Sequence, residues 1–561
     1  MRPTYIRMFM RSVWLLVAVL FLTAGMVTPV DAGKFFKPSV TREPGTWYVG
    51  ATPDNVNPSA PVLLFVQGLN STAETWWDNN DMYALAYQNG YQTAFIQLYD
   101  AGGSAHSMWD NGRLLADKIR EMYAFFRKPF VIVAHSKGGI DTDAALIHYG
   151  AYPYVKKVIT LSSPHYGAEL ADLAYSSWAG WLADILGAKS DGTYVLQTGY
   201  MQYFRQLTDN HPNAGKTPVV TLAGTKWGSF GSAYYWGGLY LSQFGTNDGV
   251  VTVQRAYHPD APMIAVGDWN HDTIRKGSST FNIIRQNIPW LTASTQTVTV
   301  ASVPSSLTRT SGVTDTFLST HSLQSPTSML SFFSSNNAKH MYVNAPQPQP
   351  SLNSSVYVRG GDTQKHVIET FAVEPSVQSM TVSWLNQDGV NQLTLRDPQG
   401  KVQRMTTTQM IDQEWLQGAH VTQAMVVHPM PGLWTLEIDQ NEASPYVMLV
   451  QFTSPLNDKF QVEQNHKKWS IYLPRGTSST HPHTQWQMTA LQYRLEKNGV
   501  KTIQQLTQSG ASEQHMLELS IPQTMSSLDT VQTLVNYTVD IQGYDEGGFP
   551  YNRTLIWSAM P

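Results

Sequence analysis

The chain has 561 residues, no cysteine, a formal net charge of -4 and only 14% charged residues. Lack of cysteine excludes disulfides, thiol chemistry and cysteine-ligated metals, and the charge balance leaves no basic stripe to hold nucleic acid. At this length one hydrophobic core does not suffice, so about two to four domains are expected.

The N-terminus carries Arg2, Arg7 and Arg11, an uncharged apolar run from Val13 to Gly25, and the small-residue site Val30-Asp31-Ala32. This reads as a secretory signal peptide over residues 1–32. The apolar run is shorter than the roughly 20 residues that a spanning helix needs. A secreted, extracellular protein is therefore expected, beginning near Gly33, with no transmembrane span after cleavage.

From Pro61 to about Trp290, short apolar runs alternate with helical patterns, the signature of a parallel sheet with crossover helices. Strands are expected at Val62-Val66, Thr93-Leu98, Phe130-Ala134, Val155-Leu161, Pro218-Ala223 and Pro262-Val266, apolar on successive residues as buried strands are. Helices are expected around Ser71-Asn89, around Trp109-Phe126, and from Lys137 to Tyr149, stopping at Gly150. The catalytic domain is thus placed at 33–292. Residues 293–350, rich in Ser, Thr, Gln and Pro, read as a linker. Alternating strands at Ser379-Leu385, Gln392-Leu395 and Gly432-Ile438 predict a β-sandwich over 351–455, and Trp469-Leu473, Met516-Ile521 and Val535-Gly543 a second over 456–561.

The stretch Phe130-Val131-Ile132-Val133-Ala134-His135-Ser136-Lys137-Gly138-Gly139 places one serine between an apolar strand and a glycine-opened helix. That is a nucleophile elbow, whose strained backbone tolerates only small neighbours two residues away on each side. A serine hydroxyl needs a histidine base, and the histidine an acid, in the chain order Ser, acid, His. Asp248, in the Gly-flanked loop Phe244 to Val251, is the acid candidate, and His271, after the last strand, is the base candidate. His258 is a rival base and Asp268 a rival acid. His135 is expected to pack or hydrogen-bond within the fold, and His165 and Asp100 to stabilise loops. The oxyanion donors are expected to be the backbone N–H groups of Leu69 and Lys137, with Gly68 permitting the close turn. On that reading the side chains at Leu69 and Lys137 matter little. No cofactor and no metal is assigned.

With Ala-His-Ser-x-Gly, the Gly68 loop, Thr246-Asn247-Asp248-Gly249 and Asn270-His271-Asp272 in place, the region from Pro61 to Trp290 resembles the secreted bacterial lipases and esterases of the α/β-hydrolase superfamily. The resemblance implies an α/β-hydrolase fold with Ser136 as nucleophile, Asp248 as acid, His271 as base, and Leu69 and Lys137 as oxyanion donors. Gln67 departs from it, since these enzymes usually carry histidine there. The Ala-His-Ser element also occurs in some polyester depolymerases, and the C-terminal β regions look similar to accessory modules of extracellular enzymes.

Leu170, Leu173, Trp178, Trp181, Leu182 and Ile185 recur at helical spacings, as either a lid or acyl-binding wall or a core-facing amphipathic helix. The aromatics Trp227, Phe230, Tyr234, Tyr235, Trp236 and Tyr240 suit a hydrophobic ester or a sugar-stacking surface. The expected function is a carboxylic ester hydrolase on hydrophobic acyl esters, with a lipid-water or polymer surface as the site of encounter. A polyester depolymerase, an amidase or peptidase, and an inactive binding or adhesion protein are the alternatives.

Overall fold

The computed structural model describes residues 41–289, 338–339 and 354–560, except residues 104, 181–188, 391–392, 405–407, 412–417, 466–467, 474–483, 498, 513–515 and 521–532. The expected signal peptide, most of the expected linker, and Trp181, Leu182 and Ile185 lie outside the described residues.

Eight strands form the central sheet: β1 (Trp47–Val49), β2 (Val62–Val66), β3 (Thr93–Ile96), β4 (Phe130–His135), β5 (Val155–Leu161), β6 (Val219–Gly224), β7 (Met263–Gly267) and β8 (Ala338–Lys339), in the order β1-β3-β2-β4-β5-β6-β7-β8. Strands β3 to β7 with β2 run parallel, while β1 and β8 close the edges antiparallel. Every residue of β2 and β4 is buried, because helices cover both faces. Leu63, Phe65, Val131 and Val133 belong to one core, and Val62, Leu64, Ile132 and Ala134 to the core on the opposite face.

The expected helix over Ser71-Asn89 divides into a 3-10 turn (Ala73–Trp76) and α1 (Met82–Gln88). The break is local chemistry: Asn79 adopts φ 49°, and Asn80 Oδ1 accepts from Met82 N at 2.8 Å, which turns the chain before the helix restarts. Helix α2 (Met108–Phe126) starts where Ser107 accepts from Asp110 N, and buries Leu115, Ala116, Ile119 and Met122 along one stripe. Helix α3 (Lys137–Asp143) continues as a π-helical turn (Ala144–His148) before Gly150 at φ 68°. The remaining helices are α4 (Glu169–Ala174), α5 (Asp191–Val195), α6 (Thr198–Asp209), α7 (Ala233–Leu241) and α8 (Gly277–Gln286).

The C-terminal region is antiparallel. Strands β9 (Val356–Val373), β10 (Ser379–Asn386), β11 (Thr394–Arg396), β12 (Val402–Arg404), β13 (Thr408–Ile411), β14 (His420–Val427) and β15 (Gly432–Thr453) form a seven-stranded sheet. Then follow β16 (Gln461–Asn465), β17 (Lys468–Tyr472), β18 (Thr484–Glu496), β19 (Gly499–Ser512), β20 (Met516–Ser520), β21 (Thr533–Tyr544) and β22 (Pro550–Ala559). Of these, β16, β17 and β20 pair in one sheet and β18, β19, β21 and β22 in another. A third core joins the two regions: Leu170, Leu173, Trp236, Tyr240 and Phe244 share it with Val356, Val358, Leu449, Tyr537 and Trp557.

That shared core answers the two questions left by the aromatic segments. Of the six expected aromatics, Trp236 and Tyr240 are buried in the core shared with C-terminal strands, Trp227, Phe230, Tyr234 and Tyr235 are half-buried, and Tyr234 alone lines the cavity above Ser136. Trp178 Nε1 donates to Asp540 Oδ2 at 2.8 Å, and the Arg359 guanidinium lies 4.6 Å from its ring centre. A tryptophan anchored in this way is a seam residue between the two regions. Leu170, one of the expected residues, lines that cavity, as does Ala171 beside it on α4.

Candidate active site

At the end of β4 the chain turns sharply into α3, and Ser136 sits in the turn at φ 54°, ψ -133°. Few non-glycine residues adopt that backbone, and the neighbours make room for it. A Cβ on Gly138 would come 2.3 Å from Gln67 O, one on Gly139 2.2 Å from Ser163 Oγ, and one on Gly68 2.8 Å from Ser136 Cβ. The three glycines are therefore required by close approach, which draws the Gly68 loop, the elbow and the loop after β5 together.

The structure brings the three expected side chains into one line. His271 Nε2 lies 3.0 Å from Ser136 Oγ, and His271 Nδ1 lies 2.8 Å from Asp248 Oδ2. Asp248 is fully buried, and its other oxygen, Oδ1, accepts from Val250 N at 2.9 Å and Val251 N at 2.8 Å. A carboxylate held at both oxygens keeps its orientation, so the proton of neutral His271 is directed to Nδ1 and the lone pair of Nε2 faces the serine. The His271 backbone is clamped as well: its N–H donates to Asp248 O at 3.0 Å, and its carbonyl accepts from His135 Nε2 at 2.8 Å. Burial, with His271 and Arg275 nearby, holds the pKa of His135 well below the usual histidine value. His135 is thus a neutral donor that holds the His271 backbone, in keeping with its expected hydrogen-bonding role.

The rivals are placed elsewhere. His258 and His165 both face Asp143, at 3.4 and 3.3 Å. Asp268 is exposed and 3.4 Å from Lys226.

Lys137 is the first residue of α3, where an N–H has no carbonyl within its own helix to bond. Leu69 and Gly68 line the same cavity as Ser136 and His271. Gln67 is buried, and in the amide orientation that satisfies both of its groups it donates to Ile96 O at 2.6 Å and accepts from Leu98 N at 2.8 Å. It ties the Gly68 loop to the end of β3, which accounts for a glutamine at this position.

The side chain of Lys137 is the main feature that sequence reasoning missed. Its ammonium is fully buried, 2.9 Å from Asp141 Oδ1 and 3.3 Å from Asp100 Oδ2, and Asn111 bonds both carboxylates. Burial opposes its charge, but Asp100 and Asp141 outweigh burial and raise its pKa. Burial raises Asp141 to about 7. For the oxyanion only the backbone N–H of Lys137 is expected to count, but in the fold its ammonium compensates part of the charge of two interior acids beneath the elbow. The i, i+4 spacing of Lys137 and Asp141 on a helix was a legible signal.

Above Ser136 opens a cavity of about 650 Å³. Leu69, Pro164, Ala168, Leu170, Leu196 and Val250 supply apolar walls, and Asn70, Thr72, Asp272 and Arg275 a polar side.

No model of a known protein family matches the chain, and no curated protein sequence matches it. Among solved structures it is similar to the lipase BlEst2 of Bacillus licheniformis in propeptide form, with 33% identity over 92% of this chain and 97% of that chain, at a TM-score of 0.69. The mature form of the same lipase matches 44% of this chain and 98% of its own at 51% identity and a TM-score of 0.42. The parallel sheet with a C-terminal β region defines an α/β-hydrolase of the lipase and esterase type, that is, a carboxylic ester hydrolase. The chain belongs to the family of that Bacillus lipase. Among the described residues no helix is long and apolar enough to cross a membrane.

Proposed function

We propose that the chain is a secreted serine hydrolase that cleaves hydrophobic acyl esters through an acyl-enzyme intermediate. The observation that carries this reading is the Ser136–His271–Asp248 line, at 3.0 and 2.8 Å, under an apolar-walled cavity. His271 takes the proton of Ser136 as Oγ attacks the ester carbonyl, and Asp248 steadies the imidazolium that forms. The N–H groups of Leu69 and Lys137 receive the oxyanion. His271 then returns the proton to the departing alcohol, and water repeats the sequence on the acyl-serine. The cavity volume and the leucine, valine and alanine walls favour an acyl chain over a peptide side chain, and the encounter is read as occurring at a lipid-water or polymer surface.

A second reading concerns the C-terminal β region. The Bacillus relative was solved in a propeptide form, and here β21 and β22 hold the helices behind the cavity wall. Ser558 Oγ donates to Asp172 Oδ1 at 2.6 Å, and Asn536 Nδ2 donates to Asp172 O at 2.8 Å. We read this region as a pro-segment whose removal frees α4 to α6 and raises turnover. Ester turnover is measured over p-nitrophenyl esters of increasing acyl length, on the full chain before and after limited proteolysis. Faster cleavage of longer chains, lost in Ser136→Ala, supports the ester reading, and equal inactivity toward all acyl lengths contradicts it. A rate that does not change when the β region is released contradicts the pro-segment reading alone.

A further inference from the structure

We propose that Asp143, His165 and His258 form a binding site for one divalent transition-metal ion, zinc by the chemistry of the set, separate from the Ser136–His271–Asp248 line. Asp143 ends α3, His165 lies in the loop after β5, and His258 precedes β7, so the fold gathers them from three segments. They are 2%, 0% and 6% exposed. Their ligand atoms, Asp143 Oδ2, His165 Nδ1 and His258 Nε2, all lie within 4.8 Å of one another.

The spacing distinguishes a metal site from a hydrogen-bonded cluster. His165 Nδ1 and His258 Nε2 stand 3.3 and 3.4 Å from the same carboxylate oxygen, and none of the three atoms completes a hydrogen bond. A settled N–H···O bond would draw in to about 2.9 Å. Ligands at about 2.0–2.1 Å from a tetrahedral zinc are instead about 3.3–3.4 Å apart along each edge. The two imidazoles are perpendicular, at 86° with centres 4.8 Å apart, so their lone pairs converge from different directions. Three buried polar atoms that complete no hydrogen bond carry a desolvation cost that a shared cation would offset, beside the Arg205 guanidinium already paired with Asp143.

The surroundings permit loading. His165 Nε2 is 3.3 Å from Thr160 Oγ1, which accepts the proton that binding at Nδ1 leaves on the other nitrogen. His258 Nδ1 accepts from the N–H of Asp260 at 3.3 Å, a long hydrogen bond that must open for the ring proton to move to Nδ1 when Nε2 takes the metal. Arg205 supplies positive charge 3.2 Å from Asp143 Oδ2, and Asp209 Oδ1, 3.3 Å from its Nε, gives the guanidinium a second partner when a cation arrives. A small cavity of about 60 Å³ borders Asp143, His258, Asp209 and Asp260, enough for a water as the fourth ligand. Oxygen and imidazole donors without thiolate suit zinc.

The test uses the full chain, stripped with a chelator and titrated with Zn²⁺ by calorimetry and with Co²⁺ by visible absorption. One Zn²⁺ per chain, intense Co²⁺ bands of tetrahedral type, and a higher Tm in zinc than in chelator are expected. Asp143→Asn and His258→Gln should each lose stoichiometric binding while a short p-nitrophenyl ester is still turned over. No stoichiometric Zn²⁺, only weak octahedral Co²⁺ bands and an unchanged Tm would overturn the proposal, as would unaltered binding in both variants. Should the variants fail to fold, the wild-type cobalt spectrum decides between tetrahedral binding and none.

Discussion

The central sheet draws both of its cores from its own sequence neighbourhood, with Leu63, Phe65 and Val133 on one face and Val62, Ile132 and Leu115 on the other. The seven-stranded C-terminal sheet has a core of its own on one face, with Phe371, Trp384, Trp434 and Phe452, but Val356, Val358 and Leu449 belong to a core shared with Leu170, Trp236 and Tyr240 of the hydrolase region. The difference separates two structural tasks. Geometry at Ser136 is set by the parallel sheet, whereas the helices behind the cavity wall are held jointly by both regions. Changes at the elbow should therefore abolish chemistry with little effect on the seam, and changes at the seam should alter stability with little effect on chemistry.

The largest expected effect lies in the sheet region. Ser136→Ala and His271→Ala should each lower kcat by about a millionfold, and Asp248→Asn by about 10⁴, since members of such a set act as a unit. Next comes Lys137→Met, which leaves Asp100 and Asp141 buried without their cation and should cost about 3–5 kcal/mol in urea unfolding. A loss below about 1 kcal/mol would show that the two acids protonate without consequence. Trp178→Ala tests the seam. It should lower Tm and leave the ratio of kcat/KM for octanoate over acetate esters unchanged, because its indole bonds Asp540 and does not line the cavity. A reduced ratio at unchanged Tm would point to a lid.

The smallest effect is a slope. Burial raises Asp172 from 3.8 to about 7, against the opposing hydrogen bonds of Ser558 and Thr198. The folded state then binds this proton more tightly than the unfolded chain, so Asp172 lowers stability as pH rises from about 4 to about 7. Asp141 acts with the same sign. Asp172→Asn should flatten the stability profile over that range without changing kcat at pH 7, and an unchanged slope would place the proton elsewhere.

The sequence made the parallel strands legible because each is a continuous apolar run, and the observed β2 and β5 match their expected limits. Ser136, Asp248 and His271 were legible because glycine-rich turns follow successive strands in a fixed order. Long strands rich in polar residues were not. β9 runs from Val356 to Val373 through Gly-Gly-Asp-Thr-Gln-Lys, and its pairing with β15 slips register between Asp439 and Ser444, so no clean alternation survives. The destination of Trp178 was illegible for another reason: Asp540 lies far along the chain, and helical spacing reports one face without naming what covers it. Asp143, His165 and His258 were scattered for the same reason.

Fluorophosphonate labelling followed by intact-protein and peptide mass spectrometry tests the account most directly. A single adduct should form on Ser136 in the wild-type chain, slow severely in His271→Ala, and be absent in Ser136→Ala. An adduct of undiminished yield in Ser136→Ala would contradict the assignment of Ser136 as the nucleophile.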